Sequence, residues 1–128
     1  MKIFGIGTDI VSVVRIKKSI KNKRFVSRVY NVKEISKCKK LIKSENCFAK
    51  RFAAKEAFSK ALGTGFRMNL NFKDIEVVNN KMGKPYYIKN KKITKIIQKN
   101  FKIKNFKCFL SISDEKNYST AFAIIQTS

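Results

Sequence analysis

Residues 48–65 read F-A-K-R-F-A-A-K-E-A-F-S-K-A-L-G-T-G, and this stretch decides the fold. Alanine stands at 49, 53, 54, 57 and 61, and no proline or β-branched residue intervenes before Thr64. Alanine and unbranched side chains lose little freedom in a helix, so the composition predicts one. Its start is expected near Ser44, acting as N-cap, with Glu45 in the first turn beside the positive end of the dipole. Gly63 and Gly65 are expected to end it, because glycine accepts the left-handed conformation of a C-cap. On a helical wheel Ala49, Ala53, Ala57 and Ala61 form one row, small enough for another backbone to approach. Phe48, Phe52, Phe58 and Leu62 lie on the other side. A helix apolar on both sides belongs at the centre of a fold. Arg51, Lys55, Glu56 and Lys60 sit among these residues, where a buried charge is costly unless paired or bound. Glu56 and Lys60 are i, i+4 neighbours. They fit either an ion pair on a solvated edge or a functional site.

Outward from this helix, the chain of 128 residues predicts one domain over 1–128 with a real core. No apolar run is long enough to span a membrane, and no signal peptide is evident. Cys38, Cys47 and Cys108 match neither a zinc pattern nor a disulfide framework, which points to a reducing cytoplasm. Histidine is absent, which removes His-based acid–base chemistry and His-ligated zinc. Any metal is then expected to be a hard cation on carboxylates. The net charge is +22, from 30 Lys+Arg against 8 Asp+Glu. Such charge suggests an anionic partner. The lysines are scattered, however, and the helix phenylalanines read as core, so a nucleic-acid-binding module is the weaker class and no nucleic acid is expected. Against this background the few acids are the informative residues.

Residues 2–12, K-I-F-G-I-G-T-D-I-V-S, read as a buried first strand. Gly5 and Gly7 bare one face for close packing. Asp9, the only acid among the first 33 residues, lies within it. Residues 15–30 read as a short basic helical segment carrying Arg15, Arg24 and Arg28. A second helix is expected at about 33–42, with Ile35, Cys38, Leu41 and Ile42 inward. Beyond the central helix, Asp74–Val78 and Lys84–Ile88 read as a hairpin around residues 79–83. Ile93, Ile96, Ile97 and Phe101 repeat at helical spacing. Residues 106–113 and 118–125 read as strands joined by a tight turn. The sum is an α+β fold, an antiparallel sheet packed against a long central helix.

Two motifs carry a resemblance. G-I-G-T-D-I at 5–10 and R-F-A-A-K-E-A-F-S-K-A-L-G-T-G at 51–65 resemble the bacterial holo-[acyl-carrier-protein] synthases, the small branch of the 4′-phosphopantetheinyl transferases. G-K-P at 83–85 and the S-I-S strand end at 111–113 are similar too, so the likeness covers nearly the whole chain. It implies transfer of the 4′-phosphopantetheine arm of coenzyme A to a serine of acyl carrier protein, for fatty acid biosynthesis, with release of adenosine 3′,5′-bisphosphate. It implies Mg²⁺ or Mn²⁺ on Asp9 and Glu56, with Lys60 one turn beyond. Attack on a pyrophosphate develops negative charge, which a clamped cation and an ammonium would offset. The resemblance further implies coenzyme A contacts at Arg51, Lys60, Gly63, Thr64, Gly65, Gly83, Lys84 and Pro85. The family is generally homotrimeric, with sites between protomers. The base for the serine stays open among Glu56, Asp9 through a metal-bound water, and Lys60. Arg15, Arg24 and Arg28 are expected to dock the acidic carrier protein. Two positions depart from the pattern. Asp114 stands where a histidine is usual, and is expected either to be neutralised by Lys116 or a neighbouring protomer's lysine, or to cap its hairpin. Ser12 replaces a common acid after G-x-D-I-V.

Overall fold

The computed structural model describes all residues, 1–128. Strand β1 (Lys2–Ser12) is followed by four helices, α1 (Val13–Ser19), α2 (Lys23–Val29), α3 (Val32–Lys39) and the long α4 (Ser44–Leu62). A 3-10 turn at Phe72–Asp74 leads into the hairpin β2 (Val77–Asn79) and β3 (Pro85–Tyr87). Helix α5 (Lys91–Phe101), β4 (Phe106–Asp114) and β5 (Tyr118–Thr127) complete the chain. The main sheet is antiparallel, in the order β1-β5-β4. The α+β architecture is the expected one, with α4 laid across the sheet.

The seating of α4 follows from the alanine row. Ala49, Ala53, Ala57 and Ala61 are buried. A Cβ at Gly5 would collide with the carbonyl of Ala61, and one at Gly7 with that of Ala57. Each glycine therefore lets a helix backbone rest on a strand backbone. On the far side of α4, Phe48, Phe58 and Leu62 are buried, while Phe52 is half-buried between Phe25 and Phe72. Gly63 ends the helix at φ +81°, in the left-handed region that glycine tolerates.

Several local expectations are corrected. Strand β1 is buried on one face only: Gly7 and Val11 point inward, whereas Ile6 and Ile10 point to solvent. The basic segment is two helices, because Asn22 caps α2 through its side chain and divides them. Helix α3 stops at Lys39, so Leu41 and Ile42 lie outside the core, not inward. Ser44 is the first helical residue and not the cap. Lys43 takes that position without a side-chain bond, its carbonyl accepting from the N–H groups of Asn46 and Cys47. Asp74 closes a capping box with Asn71 in the 3-10 turn, which delays the strand to Val77. Cys38 and Cys47 form a disulfide, against the expectation of no disulfide framework. The short loop between α3 and α4 folds back and brings their facing ends together; Cys108 stays free.

Candidate functional site

Where β1 passes α4, Asp9, Glu56 and Lys60 come together. Asp9 is placed by β1, which pairs it with Ala121 of β5. The Lys60 ammonium donates to the Asp9 carboxylate at 3.2 Å and to the Thr8 carbonyl at 3.0 Å. The expected alternative, an ion pair between Glu56 and Lys60, does not form; Lys60 turns to the strand instead. The Glu56 carboxyl is pushed above its ordinary 4.5, first by burial and then by the Asp9 charge, with Lys60 opposing. Two carboxylates thus sense each other at a half-buried point with a half-exposed ammonium beside them. The donors facing this point are oxygens, which suits a hard divalent cation that also takes phosphate and water.

Arg51 occupies a different place. Its guanidinium donates to the Asn79 side chain at 3.0 Å and to the Cys47 sulfur at 3.3 Å, while its buried Nε has no partner. It lines a small cavity of about 120 Å³ with Lys50, Asn79, Gly83, Pro85 and Asp114. Burial lowers the Arg51 pKa, with Glu34 and Tyr30 opposing. Arg51, Gly83 and Pro85 therefore share one recess, whereas Lys84 is exposed and lies outside it. Asp114 faces Lys50, at 4.0 Å, and neither pairs with Lys116 nor caps the turn. Ser12 serves as the N-cap of α1, accepting from the Arg15 N–H.

The recess and the Asp9 centre lie on opposite flanks of α4. At about 100° per residue, Arg51 and Lys60 are about 180° apart around the axis and about 13 Å apart along it. Gly63, Thr64 and Gly65 follow Lys60 at the helix end. Gly63 and Gly65 both have positive φ, and the space beside each is open. Arg15 lies on α1, and Arg24 with Arg28 on α2; all three are exposed.

The sequence reading missed the main charged anchor behind this arrangement. Lys55 is fully buried and donates to Glu34 at 2.8 Å and to the carbonyls of Phe72 and Ile75 at 2.9 and 2.7 Å. Glu34 in turn accepts from the Asn31 and Val77 N–H groups. This network ties α3, α4 and β2 together. Its one visible sign in the sequence is the capping-box pattern Asn31-x-x-Glu34.

Residues 5–123 match the family model described as the 4′-phosphopantetheinyl transferase superfamily. The holo-[acyl-carrier-protein] synthase of Pelagibacter ubique is 59% identical over 126 residues, covering 98% of each chain. The crystal structure of holo-[acyl-carrier-protein] synthase from Neisseria meningitidis superposes with a TM-score of 0.86 at 37% identity, covering 98% of this chain and 100% of that one. The corresponding synthase of Bacillus anthracis, solved in complex with coenzyme A (3′,5′-ADP), gives 0.81 at 35% identity, covering 98% of each. By motif, fold and full-length similarity, this chain belongs to the 4′-phosphopantetheinyl transferase superfamily.

Proposed function

We propose that the chain is a holo-[acyl-carrier-protein] synthase, moving the 4′-phosphopantetheine arm of coenzyme A to a serine hydroxyl of acyl carrier protein for fatty acid biosynthesis. The relatives' name and the coenzyme A held by the Bacillus anthracis protein support the substrates. The observation that carries the reading is the meeting of Asp9, Glu56 and Lys60 at one solvent-open point. Asp9 and Glu56 would hold Mg²⁺ or Mn²⁺, which when bound supplies charge stabilisation to the pyrophosphate. Lys60 neutralises Asp9 in the free protein and offers its ammonium to the developing phosphate charge. Proton acceptance from the serine would fall to one of the groups gathered here: Glu56, Asp9 through a cation-bound water, or Lys60. Arg51, Gly83 and Pro85 bind the nucleotide end, with Lys50 meeting Asp114 so that the recess stays cationic. Arg15, Arg24 and Arg28 dock the carrier protein.

The same reading extends to a homotrimer, with sites between protomers. The recess of about 120 Å³ is below the ordinary size of a ligand pocket, which fits a site that a neighbouring copy would complete. The outer face of the sheet carries exposed Ile3, Ile6, Ile10, Phe109 and Phe122, a patch suited to self-association. Docking between copies would set the Asp9 flank of one against the Arg51 flank of the next. The test is mass spectrometry of apo acyl carrier protein incubated with the chain, coenzyme A and Mg²⁺. A gain of one phosphopantetheine, lost with chelator and restored by Mg²⁺, is expected. An unchanged carrier protein across the Mg²⁺ series would overturn the assignment.

A further inference from the structure

A second cavity, of about 610 Å³, lies between the β3–α5 segment and the edge of β4. That volume falls within the range of sites that enclose small organic ligands. Its inner walls include Phe58, Tyr87, Ile93, Phe106 and Cys108; Lys89, Lys107, Phe109 of the proposed self-association face and the chain ends Met1 and Ser128 stand at its margin, and no acidic side chain lines it. Two polar groups of the inner wall are neutral or already bonded. The Tyr87 hydroxyl donates to the Ala54 carbonyl inside the core. Burial pushes the Cys108 thiol up to about 12, so it stays uncharged. None of Asp9, Arg51, Glu56 or Lys60 reaches this cavity.

Of the two lysines that line it, Lys89 is held in place. The Lys89 ammonium donates to the Phe106 carbonyl at 3.0 Å and sits over the Phe106 ring at 4.1 Å from its centroid. An ammonium has three donors, so this geometry leaves donors free. No carboxylate side chain pairs with Lys89, although four other lysines find acidic partners. An apolar chamber with a positioned, unpaired cation at its edge complements a molecule with an apolar tail and a single anionic head.

We propose that this cavity binds a medium-chain fatty acid, its hydrocarbon chain among Phe58, Ile93 and Phe106 and its carboxylate on Lys89. The site is separate from the transfer centre, and its test does not depend on the transfer reading. Calorimetric titration of the full chain with octanoate, decanoate and dodecanoate, each below its micelle concentration, measures it. Burial of each added methylene is expected to tighten binding about fourfold. Loss of a charge-assisted bond in Lys89→Met is expected to weaken decanoate about tenfold or more while leaving decanol unchanged. Filling the chamber with Cys108→Phe is expected to abolish binding of both. Lys89→Met, on the exposed rim, is expected to keep its thermal unfolding and basal transfer. Absence of binding, affinity indifferent to chain length, or decanoate binding that survives Cys108→Phe would each overturn the proposal. So would a Lys89→Met variant that binds decanoate as the parent does, since the head group would then not be held by Lys89.

Discussion

At the scale of single residues, the Asp9 centre holds two acids together where only one ammonium balances them. In the proposed reading a divalent cation would supply the remaining balance. Asp9→Asn and Glu56→Gln are each expected to lower transfer by orders of magnitude at saturating Mg²⁺, measured as holo carrier protein formed per minute. Either variant at near-parent rate would remove that residue from the cation site. Glu56→Gln also has a stability signature. The folded pKa of Glu56 lies above its ordinary 4.5, so ionisation opposes folding. The penalty is absent below the unfolded pKa and grows as pH rises through the folded one. Metal-free Glu56→Gln is therefore expected to melt higher than the parent at pH 7, with the difference vanishing near pH 4 in a thermal-unfolding series. A lower melting temperature at pH 7 would show that Glu56 makes a structural bond outweighing its burial.

At the scale of elements, α4 was legible because its alanine row and flanking glycines state both its length and its partner. The strand pair 106–113 and 118–125 was legible for a similar reason, since period-two apolar residues and a polar turn define a hairpin. Ends and joins were not legible where tertiary bonds decide them. Asn22 divides the basic segment by a side-chain cap, and the disulfide folds Leu41 and Ile42 outward; neither shows as periodicity. The buried Glu34–Lys55 pair joins residues 21 positions apart and was invisible to local spacing. Asp9, Glu56 and Lys60 were legible as acids and a cation in apolar elements, but the turn of Lys60 toward Thr8 and away from Glu56 needed three dimensions. The disulfide closes a loop with a sequence separation of 9, and closing so short a loop is worth about 2–3 kcal/mol through the unfolded chain. Reduction is expected to lower the melting temperature by about 10 °C, and Cys38→Ser with Cys47→Ser should match the reduced parent with or without reductant. Equal melting of oxidised and reduced parent would mean that packing of α3 on α4 holds the loop unaided. On α1, Arg15 is exposed and outside every ion pair, free to meet an acidic partner. Arg15→Glu is expected to raise the KM for carrier protein, more so at low salt, and to leave the KM for coenzyme A unchanged. Equal rises in both would place the effect in folding instead of docking.

At the scale of the whole molecule, the candidate site residues of α4 lie on opposite flanks. Asp9, Glu56 and Lys60 gather beside β1, whereas the buried Arg51 points toward Asn79 and the hairpin. Helical geometry sets Arg51 and Lys60 about 180° apart, so the proposed coenzyme A contacts fall on two flanks of one chain. In the proposed head-to-tail ring, each contact would join one flank of a protomer to the other flank of its neighbour. Charge at the exposed apolar face should dissolve the ring, so Phe122→Asp is expected to sediment as monomer and lose transfer together. The sharper test mixes two disabled chains. Asp9→Asn ruins one flank, and Arg51→Met ruins the other; each homogeneous assembly is expected to be inactive while melting cooperatively. When the two are unfolded together, mixed in equal amounts and refolded, half of the protomers present an intact flank of each kind. Random assembly into closed rings then yields about one quarter of contacts with both flanks intact, so about a quarter of parent activity should return. Mixing without unfolding should restore it only as fast as subunits exchange. If the refolded mixture stays as inactive as its components, the two flanks serve the same chain or different ligands. The site would then have to be rebuilt around Asp9 alone.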